Sequence, residues 1–224
     1  MKNVLGLIAV AGIAAAANAQ SGSLTWQVST DGGATWSNAA VMNGAGAVQV
    51  RGTFAWSGIA NSLGFGGSQF DALIIGGTAG DSVSGINRPS PFNFAAQTLV
   101  ASAYAGGIKI DTAADVAAPG AGTGWVNPGQ GSVDGIGTNF NSANPATVFT
   151  YTLNFDGTGS RTIGNVFNQT TGRALSVYTS NAGAQTRLNA PQVAINTASI
   201  TLIPTPGTLA LAGLGGLAAA RRRR

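Results

Sequence analysis

Apolar residues in this chain recur at every second position, in short runs bounded by Gly, Asn, Asp, Ser and Pro. That two-residue period belongs to half-buried strands. Val48 to Trp56 places Val48, Val50, Phe54 and Trp56 on one face, and Val148 to Phe155 does the same with Phe149, Tyr151, Leu153 and Phe155. Further strands are expected at Leu24 to Thr30, Gln69 to Ile75, Gly107 to Ile110, Arg161 to Phe167, Ala174 to Thr179, Gln192 to Asn196 and Ser199 to Ile203. Ala95 to Ala105 is the one stretch compatible with a helix, and it is equally compatible with a strand. Gly76 to Asn93 and Asp111 to Pro145 read as long polar loops. A parallel α/β sheet needs crossover helices that this pattern does not supply. No repeat of fixed period points to a propeller or solenoid. The expected body is all-β, a single antiparallel β-sandwich of jelly-roll or immunoglobulin/cohesin-like type.

The residue types that are missing narrow the chemistry. The chain has 224 residues, no Cys and no His, and its seven acidic residues are all Asp. A thiolate nucleophile, an imidazole base, a Cys/His zinc site, a disulfide and a glutamate acid or base are therefore excluded. No cofactor and no metal is expected. The net charge of +4 is a property of the ends, because Lys2 and Arg221, Arg222, Arg223 and Arg224 carry the excess. Between them lie six scattered cations and seven Asp. That neutral interior has no basic run, so nucleic acid is not an expected partner.

The first residues read as an export signal. Lys2 is followed by the apolar stretch Val4 to Ala14 and by Ala17-Asn18-Ala19, whose small side chains suit a signal peptidase. Cleavage before Gln20 is expected, with residues 1–19 forming a signal helix and residues 20–203 the β-sandwich domain. Without cysteines, an exported domain of this kind is held by core burial alone.

Residues 204–224 form a second address. Pro204-Thr205-Pro206-Gly207 leads into the apolar run Thr208 to Ala220, closed by Arg221 to Arg224. Such a run is expected to form a short transmembrane helix with its arginines on the cytoplasmic side. This tripartite tail resembles the PEP-CTERM sorting signal of Gram-negative bacteria that possess exosortase. Pro204 and Pro206 match the two prolines of that motif, and Thr205 stands where the family usually has Glu. The resemblance implies processing by an exosortase-like transpeptidase and association with exopolysaccharide. It also implies transient anchoring in the inner membrane before arrival at the cell surface or outside it.

Within the body, Ser29-Thr30-Asp31-Gly32-Gly33-Ala34-Thr35-Trp36 resembles an Asp-box, the Ser-x-Asp-x-Gly-x-x-Trp hairpin of sialidase propellers and other secreted β proteins. It occurs once. Ser29, Asp31, Gly33 and Trp36 are therefore read as a structural hairpin in which Asp31 accepts turn amides and Trp36 packs back. Of the four Trp, Trp36 and Trp125 are the candidate glycan contacts, while Trp26 and Trp56 sit on strand faces expected to point inward. Asp31-Gly32-Gly33 and Asp156 to Ser160 could offer oxygens to calcium, but tight turns are the simpler reading. Asp111 and Asp115 tempt a carboxylate-pair reading, and Lys109 a base, yet their Ala-rich flanks give no sign of burial. The function expected is that of a non-enzymatic, exported cell-surface or extracellular-matrix protein of structural or adhesive type. The alternative is a carbohydrate-binding module with an aromatic platform.

Overall fold

Fourteen strands carry the alternation seen in the sequence. The structure is a computed structural model that describes residues 19–89, 98–112, 118–120, 143–180 and 183–203. In chain order the strands are β1 (Ser21–Ser29), β2 (Ala39–Met42), β3 (Gly46–Ser57), β4 (Gly64–Gly67), β5 (Phe70–Ile75), β6 (Ser82–Asn87) and β7 (Leu99–Tyr104). They continue with β8 (Gly107–Thr112), β9 (Ala146–Phe155), β10 (Ser160–Phe167), β11 (Arg173–Tyr178), β12 (Gln185–Asn189), β13 (Val193–Asn196) and β14 (Ala198–Leu202).

Three sheets result, in the orders β13-β1-β3-β9-β6, β2-β14-β10-β5-β8-β7 and β12-β11-β4. Their apolar faces share one core. Trp26 on β1 meets Phe70 on β5 edge-on with ring centroids 6.0 Å apart, and Phe54 on β3 lies 5.2 Å from Phe65 on β4. The molecule is thus an all-β sandwich, but its pairing is mixed rather than purely antiparallel. β13 runs parallel to β1 and β2 runs parallel to β14, each at a sheet edge. These two short strands arrive from distant parts of the chain, so no hairpin turn forces them antiparallel.

A bulge lets β9 bury more than alternation predicts. Gly52 pairs with Phe149 and Thr53 with Thr147, so Val148 is extra on its strand. Side chains on either side of the bulge change parity, and Ala146, Val148, Phe149 and Tyr151 are all buried. One residue pays poorly for that position. Among the described residues the buried Tyr151 hydroxyl has no hydrogen-bond partner, and its burial pushes the phenol far above its ordinary pKa. Tyr151→Phe is expected to leave stability unchanged or raise it by about 1 kcal/mol, because it deletes a desolvated polar atom that gains nothing. Urea denaturation checks this, and a clear loss would mean that the hydroxyl has a partner.

Several elements depart from the sequence expectation. Leu99–Tyr104, inside the stretch compatible with a helix, is edge strand β7, paired along its length with β8. β6 lies within the expected loop Gly76 to Asn93, and β2, β4 and β12 were not expected at all. Among the described residues the only helical element is the 3₁₀ turn Ala190–Gln192. The expected signal helix, residues 1–19, and the C-terminal helix within residues 204–224 lie, Ala19 apart, outside the described residues. Among the described residues, no helix is long and apolar enough to cross a membrane. The expected localisation, with a transient inner-membrane anchor, is corrected accordingly: no helix among the described residues can hold it. The first described strand starts at Ser21 and the last ends at Leu202.

Candidate functional site

The Asp-box sequence folds as a hairpin excursion after β1, closed by reciprocal backbone hydrogen bonds between Val28 and Ser37 of 2.8 and 3.0 Å. Gly32 and Gly33 have φ of 75° and 91°, the left-handed region that glycine adopts without a Cβ penalty. The buried Ser29 hydroxyl donates to Asp31 Oδ1 at 2.6 Å and accepts the Gly33 amide at 2.8 Å. Asp31 also accepts the Thr35 amide at 3.0 Å and the Thr35 hydroxyl at 2.6 Å. Led by the Ser29 hydroxyl and then Thr35, these donors hold the Asp31 carboxyl well below the usual carboxylate range. The carboxylate is committed to shaping the turn.

That turn carries Trp36 back over the outer face of the five-stranded sheet, where the Arg51 guanidinium stacks on the indole at 4.4 Å. Beside it lies a shallow groove of about 290 Å³ lined by Trp36, Gln49, Gly85, Asn87, Thr150 and Thr152, with Val50 and Tyr151 contributing from the strands beneath. Register builds this surface. Gln49 faces Thr152 across the β3–β9 ladder, Arg51 faces Thr150, and Asn87 faces Thr150 from β6. Arg51 Nε donates to Gln27 Oε1 at 2.9 Å, which fixes the plane of the guanidinium. Sequence reasoning named Trp36 but missed Gln49, Arg51, Asn87, Thr150 and Thr152. The available signal was the polar half of the Val48-Gln49-Val50-Arg51 alternation.

Other candidates are placed differently. Trp26 is fully buried and Trp56 nearly so, with Trp56 Nε1 donating to Ser62 Oγ at 2.6 Å. Trp125 and Asp115 lie outside the described residues, as do Ala17, Pro204, Thr205, Pro206, Gly207, Arg221, Arg222, Arg223 and Arg224. Ala19 and Gln20 are exposed. Asp111 is corrected from an exposed loop residue to a buried one on β8, 1% exposed and ion-paired with Lys109 on the same face of the strand. Lys109 is thereby the charge partner of Asp111. In the Asp156 turn, Oδ1 accepts the Thr158 amide at 2.8 Å and Arg161 Nη2 at 2.9 Å, and Oδ2 accepts the Thr78 hydroxyl. An arginine there takes the place a cation would occupy. Among the described residues no three acidic side chains group as metal ligands.

No protein family matches this chain, and no curated protein matches it. It is similar to several solved cohesin modules. One is the cohesin of a cohesin–dockerin complex from Clostridium thermocellum, 8% identical, with a TM-score of 0.43 over 81% of this chain and 99% of that one. A non-cellulosomal cohesin from Archaeoglobus fulgidus is 9% identical, with a TM-score of 0.39 over 82% of this chain and 91% of that one. A cohesin module of a Clostridium perfringens family 33 glycoside hydrolase is 8% identical, with a TM-score of 0.42 over 83% of this chain and 99% of that one.

Proposed function

We propose that this chain is an exported, non-catalytic binding module of adhesive type that works at the bacterial cell surface or in the extracellular matrix. The observation that carries this reading is the groove beside Trp36, where polar side chains converge on solvent. The described acids are instead engaged within the protein, Asp81, Asp111 and Asp156 in ion pairs, Asp31 in its turn and Asp71 with the Gly120 amide. The Pro204-Thr205-Pro206 tail with its arginine cluster supports sorting by an exosortase-like transpeptidase, and Ala17-Asn18-Ala19 supports removal of residues 1–19 by signal peptidase. Exopolysaccharide is the partner this sorting class favours.

The carbohydrate-binding alternative takes a modified form. A flat aromatic platform requires exposed, coplanar rings, but Trp26 and Trp56 belong to the core and only Trp36 among the described tryptophans is partly exposed. A groove with one aromatic wall replaces the platform.

Intact-mass analysis of the protein recovered from an exosortase-bearing Gram-negative host tests the sorting half. The expected mature chain starts at Gln20 and ends near the prolines; a chain still ending in Arg224 overturns processing. Retention of the purified protein on exopolysaccharide, against a neutral resin, tests the adhesive half.

A further inference from the structure

We infer that the groove beside Trp36 binds an acidic oligosaccharide, a glycan bearing uronic acid carboxylates, with Arg51, which stacks on the Trp36 wall rather than lining the groove itself, as the carboxylate anchor at its rim. This rests on the binding-module reading above and names the ligand class of that site.

The first argument is hydrogen-bonding accountancy. Several polar side chains elsewhere on the surface are used internally: Asn154 donates to Ser82 at 3.1 Å, Asn196 donates to Thr25 at 3.0 Å, and Asp31 and Asp156 accept amides of their own turns. The side chains of Gln49, Asn87, Thr150 and Thr152 make no hydrogen bond to the protein among the described residues. Two amides and two hydroxyls, each both donor and acceptor, therefore face one concavity. Sugar hydroxyls demand that mixture, whereas the core of a protein interface is apolar. None of the exposed large hydrophobics, Val41, Ile75, Val100, Ile195 and Ile203, lines the groove. Its volume of about 290 Å³ is at the small end of ligand sites.

Charge supplies the second argument. Arg51 spends Nε on Gln27 and one face of its guanidinium on Trp36, and no carboxylate pairs with it among the described residues. Its two terminal nitrogens keep their donors for an outside anion, and their planar fork matches a carboxylate. Of the other cations on the described strands, Lys109 and Arg161 are buried in ion pairs, and Arg173 and Arg187 are exposed on the three-stranded sheet, outside the lining of this groove. One cation in a field of neutral donors suits one carboxylate per few sugars rather than a polyphosphate backbone.

The test is titration calorimetry of the full chain with a short oligogalacturonate. Comparators are its methyl ester, a neutral cello-oligosaccharide and an oligo-aspartate peptide. Binding of the oligogalacturonate is expected, weakened about tenfold or more by esterification and by Arg51→Gln. Arg51→Lys should retain part of it, because the charge stays and the fork is lost. Thr152→Val, a small change that leaves the hairpin intact, should also weaken binding, and unchanged thermal midpoints show that the variants fold. If neutral sugars bind as tightly as the acid and Arg51→Gln changes nothing, the carboxylate assignment falls while the binding-module reading stands. If the peptide binds as well as the glycan, the saccharide assignment falls. If no glycan binds and the protein is not retained on exopolysaccharide, both readings fall together.

Discussion

Replacing Asp81 by Ala is expected to destabilise the protein by about 3 kcal/mol, because it removes the fully buried partner of the Arg161 guanidinium and leaves it only the more exposed Asp156. Asp81 and Arg161 have side chains 0% and 2% exposed, and Arg161 Nε donates to Asp81 Oδ2 at 2.6 Å. The carboxylate also accepts the Thr78 amide at 3.0 Å and the Asp156 amide at 2.9 Å. Arg161 completes the clasp with Asp156 at 2.9 Å and the Thr158 carbonyl at 2.7 Å, and lies over the Phe155 ring at 5.0 Å. The clasp sits where the chain changes sheets twice: β5 to β6 through Thr78–Asp81, and β9 to β10 through Asp156–Gly159. It thus ties the two large sheets together at one end. Urea denaturation at neutral pH reads the loss. Adding Arg161→Met to Asp81→Ala should recover part of it, since the buried charge that has lost its buried partner is then gone. A single-variant loss below about 1 kcal/mol would mean that the clasp does not hold the sheets.

The same clasp sets the acid behaviour. The Thr78 hydroxyl first, with help from Thr158 and the charge of Arg161, pulls the Asp156 carboxyl from 3.8 to about 2. Asp31 is lowered in the same sense by Ser29 and Thr35. A carboxylate depressed in the folded state contributes stability that is whole above its unfolded pKa and disappears as pH falls through its folded one. The thermal midpoint is therefore expected to hold above about pH 4 and to fall between pH 4 and 2. Asp156→Asn should shrink that fall, and an identical pH profile for the variant would assign the acid sensitivity elsewhere.

Trp26→Ala carries the other large effect, about 3–5 kcal/mol. Trp26 is 0% exposed and meets Phe70, Phe149 and Tyr151 edge-on, at 6.0, 6.2 and 6.5 Å. Its Nε1 donates to Asn165 Oδ1 on β10 at 2.9 Å, so one side chain joins both large sheets through rings and through a hydrogen bond. Its cross-strand neighbour is Gly52, where a Cβ would come within 3.2 Å of the indole. That close approach makes the site intolerant from both sides. Trp26→Phe should cost less than Ala, because it leaves two of the edge contacts in reach while losing the hydrogen bond. Equilibrium unfolding measures both variants. A loss for Trp26→Ala no larger than a typical surface substitution would show that the indole is not the central packing residue.

The long alternating strands were legible in the sequence because a half-buried strand writes its burial as a period of two. Val48, Val50, Phe54 and Trp56 are buried as that period requires, and so are Phe149, Tyr151, Leu153 and Phe155. β4 was hidden for the opposite reason. Its Gly-Phe-Gly-Gly run looks like a breaker, and it is a strand because β11 pairs with it and its neighbours bury it. β7 is an edge strand whose Ala and Ser residues alternate weakly, so the apolar signal cannot separate it from a helix. The Asp111 environment was misread because the residues that bury it come from elsewhere in the chain, where local composition is silent.

The order of residues along the chain determined an all-strand body, the absence of thiol, imidazole and glutamate chemistry, and the Ser29–Trp36 turn, since each depends on neighbours a few positions apart. Only the folded arrangement decided that Arg51 lies on Trp36, that Thr150, Thr152 and Asn87 open onto the same groove as Gln49, and that Asp81 reaches Arg161 across eighty positions of sequence. Those meetings are set by strand register and by how the sheets stack, and neither is written in any local stretch of the chain.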